Sequence, residues 1–109
     1  MKKFIKVSLS AVIVMMAMTF TSCKQDPGKV VFWVDADLGC GTIDVTIDGT
    51  TKTISSFYSG STPDCDATGC ATFQITPGSH NYSASCSGLS WSGTVNITSN
   101  GCLKTQLTP

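Results

Sequence analysis

Apolar and polar side chains alternate with a period of two along most of this chain from Lys29 to Leu107, and turn residues break the alternation into short runs. Period-two alternation places successive side chains on opposite faces of an extended strand, so each run can bury one face of a sheet. Val30, Phe32 and Val34 oppose Val31 and Trp33; Ile43, Val45 and Ile47 oppose Thr42, Asp44 and Thr46. Asp48-Gly49 is a two-residue hairpin signal leading into a strand over 52–58. Ser, Gly, Asp and Pro then fill the longest loop, 59–69. Ala71, Phe73 and Ile75 share the next face, and Pro77-Gly78 turns the chain. His80, Tyr82, Ala84 and Cys86 share a face, Ser87-Gly88 turns again, and Trp91, Gly93, Val95 and Ile97 line the following strand. Ser99-Asn100-Gly101 is a third hairpin signal, before Leu103 and Leu107 close the pattern. Helical spacing is sustained nowhere in this part of the chain. About seven strands with hairpin-type connections predict an all-β fold, a small two-layer antiparallel β-sandwich. A small closed barrel is the competing all-β architecture.

The leader sets where such a domain would work. Met1 to Lys6 carries three lysines and no acid, and Val7 to Phe20 is apolar apart from Ser8, Ser10 and Thr19. A basic start, a short apolar core and small residues before a cut make a secretory signal. The apolar run is shorter than the ~20 residues that span a bilayer, which disfavours a permanent membrane helix. Phe20-Thr21-Ser22-Cys23 resembles the lipobox of bacterial lipoproteins, with Phe20 standing where that family usually has leucine. The resemblance implies removal of residues 1–22 and lipidation of Cys23. An ordinary secreted protein is the alternative. Residues 23–28 then form a lipid-anchored tether, and 29–109 the folded domain. The expected location is the bacterial cell envelope, at the outer membrane, on its periplasmic or surface face.

The mature chain would hold 87 residues, enough for one small domain. Its four lysines against seven aspartates give a net charge of −3, with no arginine and no glutamate anywhere in the sequence. Without arginine there is no bidentate grip on phosphate or guanine, and the charge is of the wrong sign, so nucleic acid is not an expected partner.

A domain this small buries only about 60–65% of its unfolded surface, so covalent support is expected. Cys40, Cys65, Cys70, Cys86 and Cys102 in an exported chain read as two disulfides and one thiol. A simple up-and-down trace puts Cys40, Cys65, Cys70 and Cys86 at one end and Cys102 at the other. On that trace Cys65–Cys70 is the first expected pair and Cys40–Cys86 the second, with Cys102 left over.

Three runs carry a further resemblance: Val45-Thr46-Ile47-Asp48-Gly49, Phe73 through Tyr82, and Trp91 through Ile97. A valine-rich strand into Asp-Gly, then a Pro-Gly turn into a strand bearing Tyr, is similar to the immunoglobulin-like or transthyretin-like (PEGA-like) sandwich repeats of bacterial surface proteins. That family implies a spacer or docking module and supplies no catalytic residues; the cysteines depart from its pattern.

Candidate chemistry is sparse. His80 is the single histidine and the one candidate base, no Gly-x-Ser-x-Gly elbow is present, and the chain reads as a non-enzyme with no cofactor. Asp35, Asp37, Asp64 and Asp66 are calcium candidates if they converge at one end of the sandwich; otherwise they cap turns. Trp33, Phe57 and Tyr58 are candidate contact residues for a protein or glycan, with burial of Trp33 beneath a flap the bland alternative. The function expected is a non-catalytic binding or accessory module at the cell surface, held to the membrane by its N-terminal lipid. A structural spacer or a subunit of a larger envelope complex is the alternative.

Overall fold

The computed structural model describes residues 25–109. The leader and Cys23 lie outside the described residues. Seven strands follow in order: β1 (Gly28–Trp33), β2 (Ile43–Ile47), β3 (Thr50–Ile54), β4 (Ala71–Ile75), β5 (Gly78–Cys86), β6 (Leu89–Ile97) and β7 (Cys102–Gln106). They form two sheets, a three-stranded one ordered β4-β1-β7 and a four-stranded one ordered β3-β2-β5-β6. The architecture is the all-β sandwich that the alternation predicts.

Pairing departs from a simple up-and-down trace. β7 runs parallel to β1, with Lys29 opposite Cys102 and Trp33 opposite Gln106; every other pair is antiparallel. Only β2–β3 and β5–β6 are hairpins. Asp48 and Gly49 both take positive φ, 51° and 82°, the geometry of a tight turn whose twist matches its strands. The third hairpin expectation is corrected. Ser99-Asn100-Gly101 carries the chain from one sheet to the other, because the Asn100 amide donates to the Pro27 carbonyl at 3.0 Å and the Lys29 amide to Gly101 at 2.9 Å. Those bonds tie the start of β1 to the start of β7 and so fix the parallel pair.

The core lies between the sheets. Val30, Phe32 and Val34 meet Ile43, Val45, Ile47, Ala84, Cys86, Val95 and Ile97 across it. Phe32 is fully buried and stands edge-on to Phe73, ring centroids 5.9 Å apart, with Tyr82 tilted against it at 4.9 Å. Aromatic pairs prefer such geometries because the ring edge is positive and the face negative.

The structure forms Cys40–Cys86, Cα atoms 5.7 Å apart, pinning the β1–β2 connection to the end of β5. It does not form Cys65–Cys70. Cys65 bonds Cys102, Cα atoms 6.0 Å apart, and Cys70 is the free thiol. Cys102 does start β7 at the end where residues 25–27 lead into β1; it is Cys65 that lies elsewhere than expected. The long loop carries Cys65 down the sandwich to that same end, while Cys70 stays at the far end beside Ala71, which pairs with Phe32. Three or four strand steps of ~3.3 Å then separate Cys65 from Cys70, beyond the 4.4–6.8 Å that a bridge allows.

Phe32→Ala empties the centre of this core, and a loss of about 3–5 kcal/mol is expected in urea denaturation, with the disulfides intact.

Candidate functional site

Among the described residues, two surfaces carrying apolar side chains stand out. The first is the outer face of the β4-β1-β7 sheet. Register places Val31 and Trp33 there, flanked by Thr72 on β4 and by Lys104 and Gln106 on β7. Val31 is fully buried and Trp33 is 7% exposed, yet neither belongs to the core between the sheets. The 59–69 loop covers them. Cys65 is bonded to Cys102, Lys29 Nζ donates to Asp66, Lys104 Nζ donates to Asp64 at 3.0 Å, and the Asp66 amide donates to Thr72 Oγ1 at 2.9 Å. Pro63 is buried in the same loop. Trp33 is therefore no exposed contact residue, which corrects that expectation. Its indole Nε1 is buried without a hydrogen-bond partner. Such an orphan donor costs about 1–3 kcal/mol, so the cover over Trp33 is held by its latch and its apolar contacts rather than by polar satisfaction.

The same latch decides the aspartates. Asp64 and Asp66 sit on lysines over the sheet, while Asp37 Oδ1 accepts from the Gly39 amide at 2.9 Å in the β1–β2 connection. The four do not converge. Among the described residues no group of three His, Cys, Asp or Glu side chains comes together to hold a metal.

The second surface is a groove at the end of the sandwich opposite residues 25–27. The chain enters at Gly28, and Val34 follows the far end of β1. There the Tyr58 amide donates to the Val34 carbonyl at 2.9 Å, and the Tyr58 hydroxyl donates to Thr68 O at 2.6 Å. The Ser55 and Ser56 amides both donate to Gly69 O. Gly69 has φ +83°, and a Cβ there would lie 2.5 Å from Ser56 Cβ, so only glycine fits. These bonds close the base of the long loop and leave Phe57 pointing out, 52% exposed. Val34, Leu38, Ile43, Ile54 and Phe57 line a groove of about 270 Å³, with Asp37 at its polar rim. Of the three aromatic candidates, then, Phe57 is on the surface, Tyr58 is half-buried as a loop anchor, and Trp33 is enclosed.

His80 stands near the tether end. Its Nδ1 faces Asp48 Oδ2 at 2.8 Å and its Nε2 faces the Thr76 carbonyl at 2.7 Å. Both ring nitrogens therefore lie against oxygens of the protein itself. Cys70 is half-buried, and burial pushes its thiol pKa up, away from the thiolate that a nucleophile needs. Trp91 packs partly against the core and donates from Nε1 to Thr108 O at 2.8 Å.

Sequence reasoning missed the Cys65–Cys102 latch, although charge could have suggested it. Cys65 lies between two aspartates, and Cys102 lies two residues before Lys104, the lysine that one of them meets. Compared with known proteins, the sequence matches no family model and no curated protein sequence.

Replacing Cys65 and Cys102 by serine removes a link across 37 residues. A loss of up to about 4 kcal/mol is expected from released chain entropy, read by denaturation. Trp33 emission should shift to the red as water reaches it; unchanged emission would show that the loop stays down without its bridge.

Proposed function

We propose that this chain is an envelope-anchored lipoprotein whose folded domain is a non-catalytic binding module, with the Phe57 groove as its contact surface. The observation that carries the reading is the position of Phe57. A half-exposed phenylalanine rims an apolar groove at the opposite end of the sandwich from the tether, where a membrane under Cys23 would leave it clear. Large rigid side chains at pocket edges supply much of the binding free energy in protein and glycan contacts. The non-catalytic part of the reading is supported by His80, whose two ring nitrogens both face oxygens of the protein, and by the raised Cys70 thiol. The proposed location is the outer membrane, and the proposed partner is a protein or glycan of the surface.

A structural spacer is the second reading, and one observation favours it. The outer face of the β3-β2-β5-β6 sheet presents Ser, Thr and Asn side chains with a single aspartate, Asp44, and no large apolar group.

Two measurements separate these parts. Cys23→Ser should move the protein from the membrane fraction to the soluble one, because two or more acyl chains are what hold a lipoprotein stably. Continued firm membrane attachment of the variant would overturn the anchor. Phe57→Ala should weaken capture on glycan and envelope-protein panels by about tenfold or more while leaving the melting temperature within a few degrees. Equal capture by both forms would move the reading to the spacer.

A further inference from the structure

Each sheet of this sandwich has two open edges, and three of the four edge strands carry protection. β3, β4 and β7 are five residues each. β3 bears Lys52, which reaches over the Phe73 ring of β4 at 5.7 Å, and β7 bears Lys104. Short length and edge lysines are what discourage a strand from pairing with another chain. β6 has neither. It is nine residues long, pairs only with β5 among the described residues, and contains no proline. From Asn81 to Leu103 the chain holds no Asp, Glu, Lys, Arg or His. The C-terminal segment hydrogen-bonds β6 from Trp91 Nε1 to Thr108 O, a bond that uses no β6 backbone group.

The hydrogen-bonding phase of β6 is fixed by its hairpin. Ser87-Gly88 closes between Cys86 and Leu89, so Leu89, Trp91, Gly93, Val95 and Ile97 spend their backbone groups on β5. The N–H and C=O groups of Ser90, Ser92, Thr94 and Asn96 therefore point to the open edge. A two-fold axis through Gly93 maps that set onto itself: Ser92 falls opposite Thr94 of the second copy, and Ser90 opposite Asn96. Gly93 on the axis brings no side chain to collide with its copy. The flanking side chains match as well. The β5–β6 ladder already joins Ser79 to Asn96 at 2.6 Å and Thr94 to Asn81 at 3.0 Å, and hydroxyl and amide groups on the same face would extend it across the axis. β6 itself carries no charge to oppose the approach.

We propose that β6 pairs antiparallel with β6 of a second copy of this chain, joining two four-stranded sheets into one of eight strands. The pairing is independent of the Phe57 groove, and its test fails separately. In the full-length chain expressed from its own leader, on a Cys70→Ser background, Ser92→Cys with Thr94→Cys places thiols on opposed positions. Directly opposed residues of a hydrogen-bonded pair have Cα atoms about 5.5 Å apart, within disulfide reach. A covalent dimer is expected on non-reducing gels, at least tenfold above a Ser83→Cys control on the same face but inside the sheet. Adding Ser90→Lys and Asn96→Lys, which face each other across the axis, should abolish it without shifting the melting temperature by more than a few degrees. The unsubstituted chain should sediment as a monomer–dimer mixture that shifts with concentration. Trapping no faster than the control, trapping undiminished by the lysines, or capture of a different protein in place of a second copy would each overturn the proposal.

Discussion

The structure depends on β1 being covered on both faces. Gly28–Trp33 sits in the middle of its sheet, between an antiparallel β4 and a parallel β7, and none of its side chains except Lys29 is left partly open. A strand so placed cannot alternate apolar and polar, and its sequence does not: Val30, Val31, Phe32, Trp33 and Val34 are consecutive. The face bearing Phe32 is buried by the second sheet. The face bearing Trp33 has no sheet to meet, so the long loop must lie on it. Loops made of Ser, Gly, Asp and Pro pack poorly on their own, and this one is fixed by a disulfide and two lysine–aspartate pairs. Exposed ion pairs contribute little individually. Here they set the direction of the loop, and the bridge supplies the larger part of its hold.

That arrangement explains which features the sequence made legible. Strands, hairpin turns and the inward faces were readable because period two and Asp48-Gly49 are local signals. So was Cys40–Cys86, because an up-and-down trace puts both residues at the same end of the sandwich, as the structure does. The Cys65–Cys102 bond was not, because it depends on β7 returning parallel to β1 and on a loop crossing a sheet. Both are long-range consequences of β1 needing cover. Ser99-Asn100-Gly101 misled for a related reason. An Asn at φ 60° makes a sharp turn whether the chain then pairs with its predecessor or crosses to the other sheet. The choice was made by hydrogen bonds to Pro27 and Lys29, some seventy residues earlier.

Legibility of the candidate site followed the same division. Phe57 and Tyr58 are adjacent and alike in sequence, and they part company because the Tyr58 amide and hydroxyl are both consumed in closing the loop. Phe57 has no polar side-chain group to anchor and is turned outward. Trp33 was placed on the face opposite Phe32, which is correct, and that placement alone could not distinguish a solvent-facing ring from a covered one.

The proposed anchor at Cys23 and the proposed β6 pairing bear on each other. A two-fold axis normal to the sheet would send the two tethers out at opposite ends of an eight-stranded assembly. Each tether has about five residues beyond Cys23, a reach of less than ~20 Å. Were Cys23 lipidated as proposed, the two lipids could enter one bilayer only if the strands lay along its surface, with the Phe57 grooves at the two ends of the assembly and open to the side. With a monomer upright on its tether, the groove would instead face directly away from the lipid. Under these proposals, edge pairing and anchoring would together decide how the proposed contact surface is presented, although neither touches it.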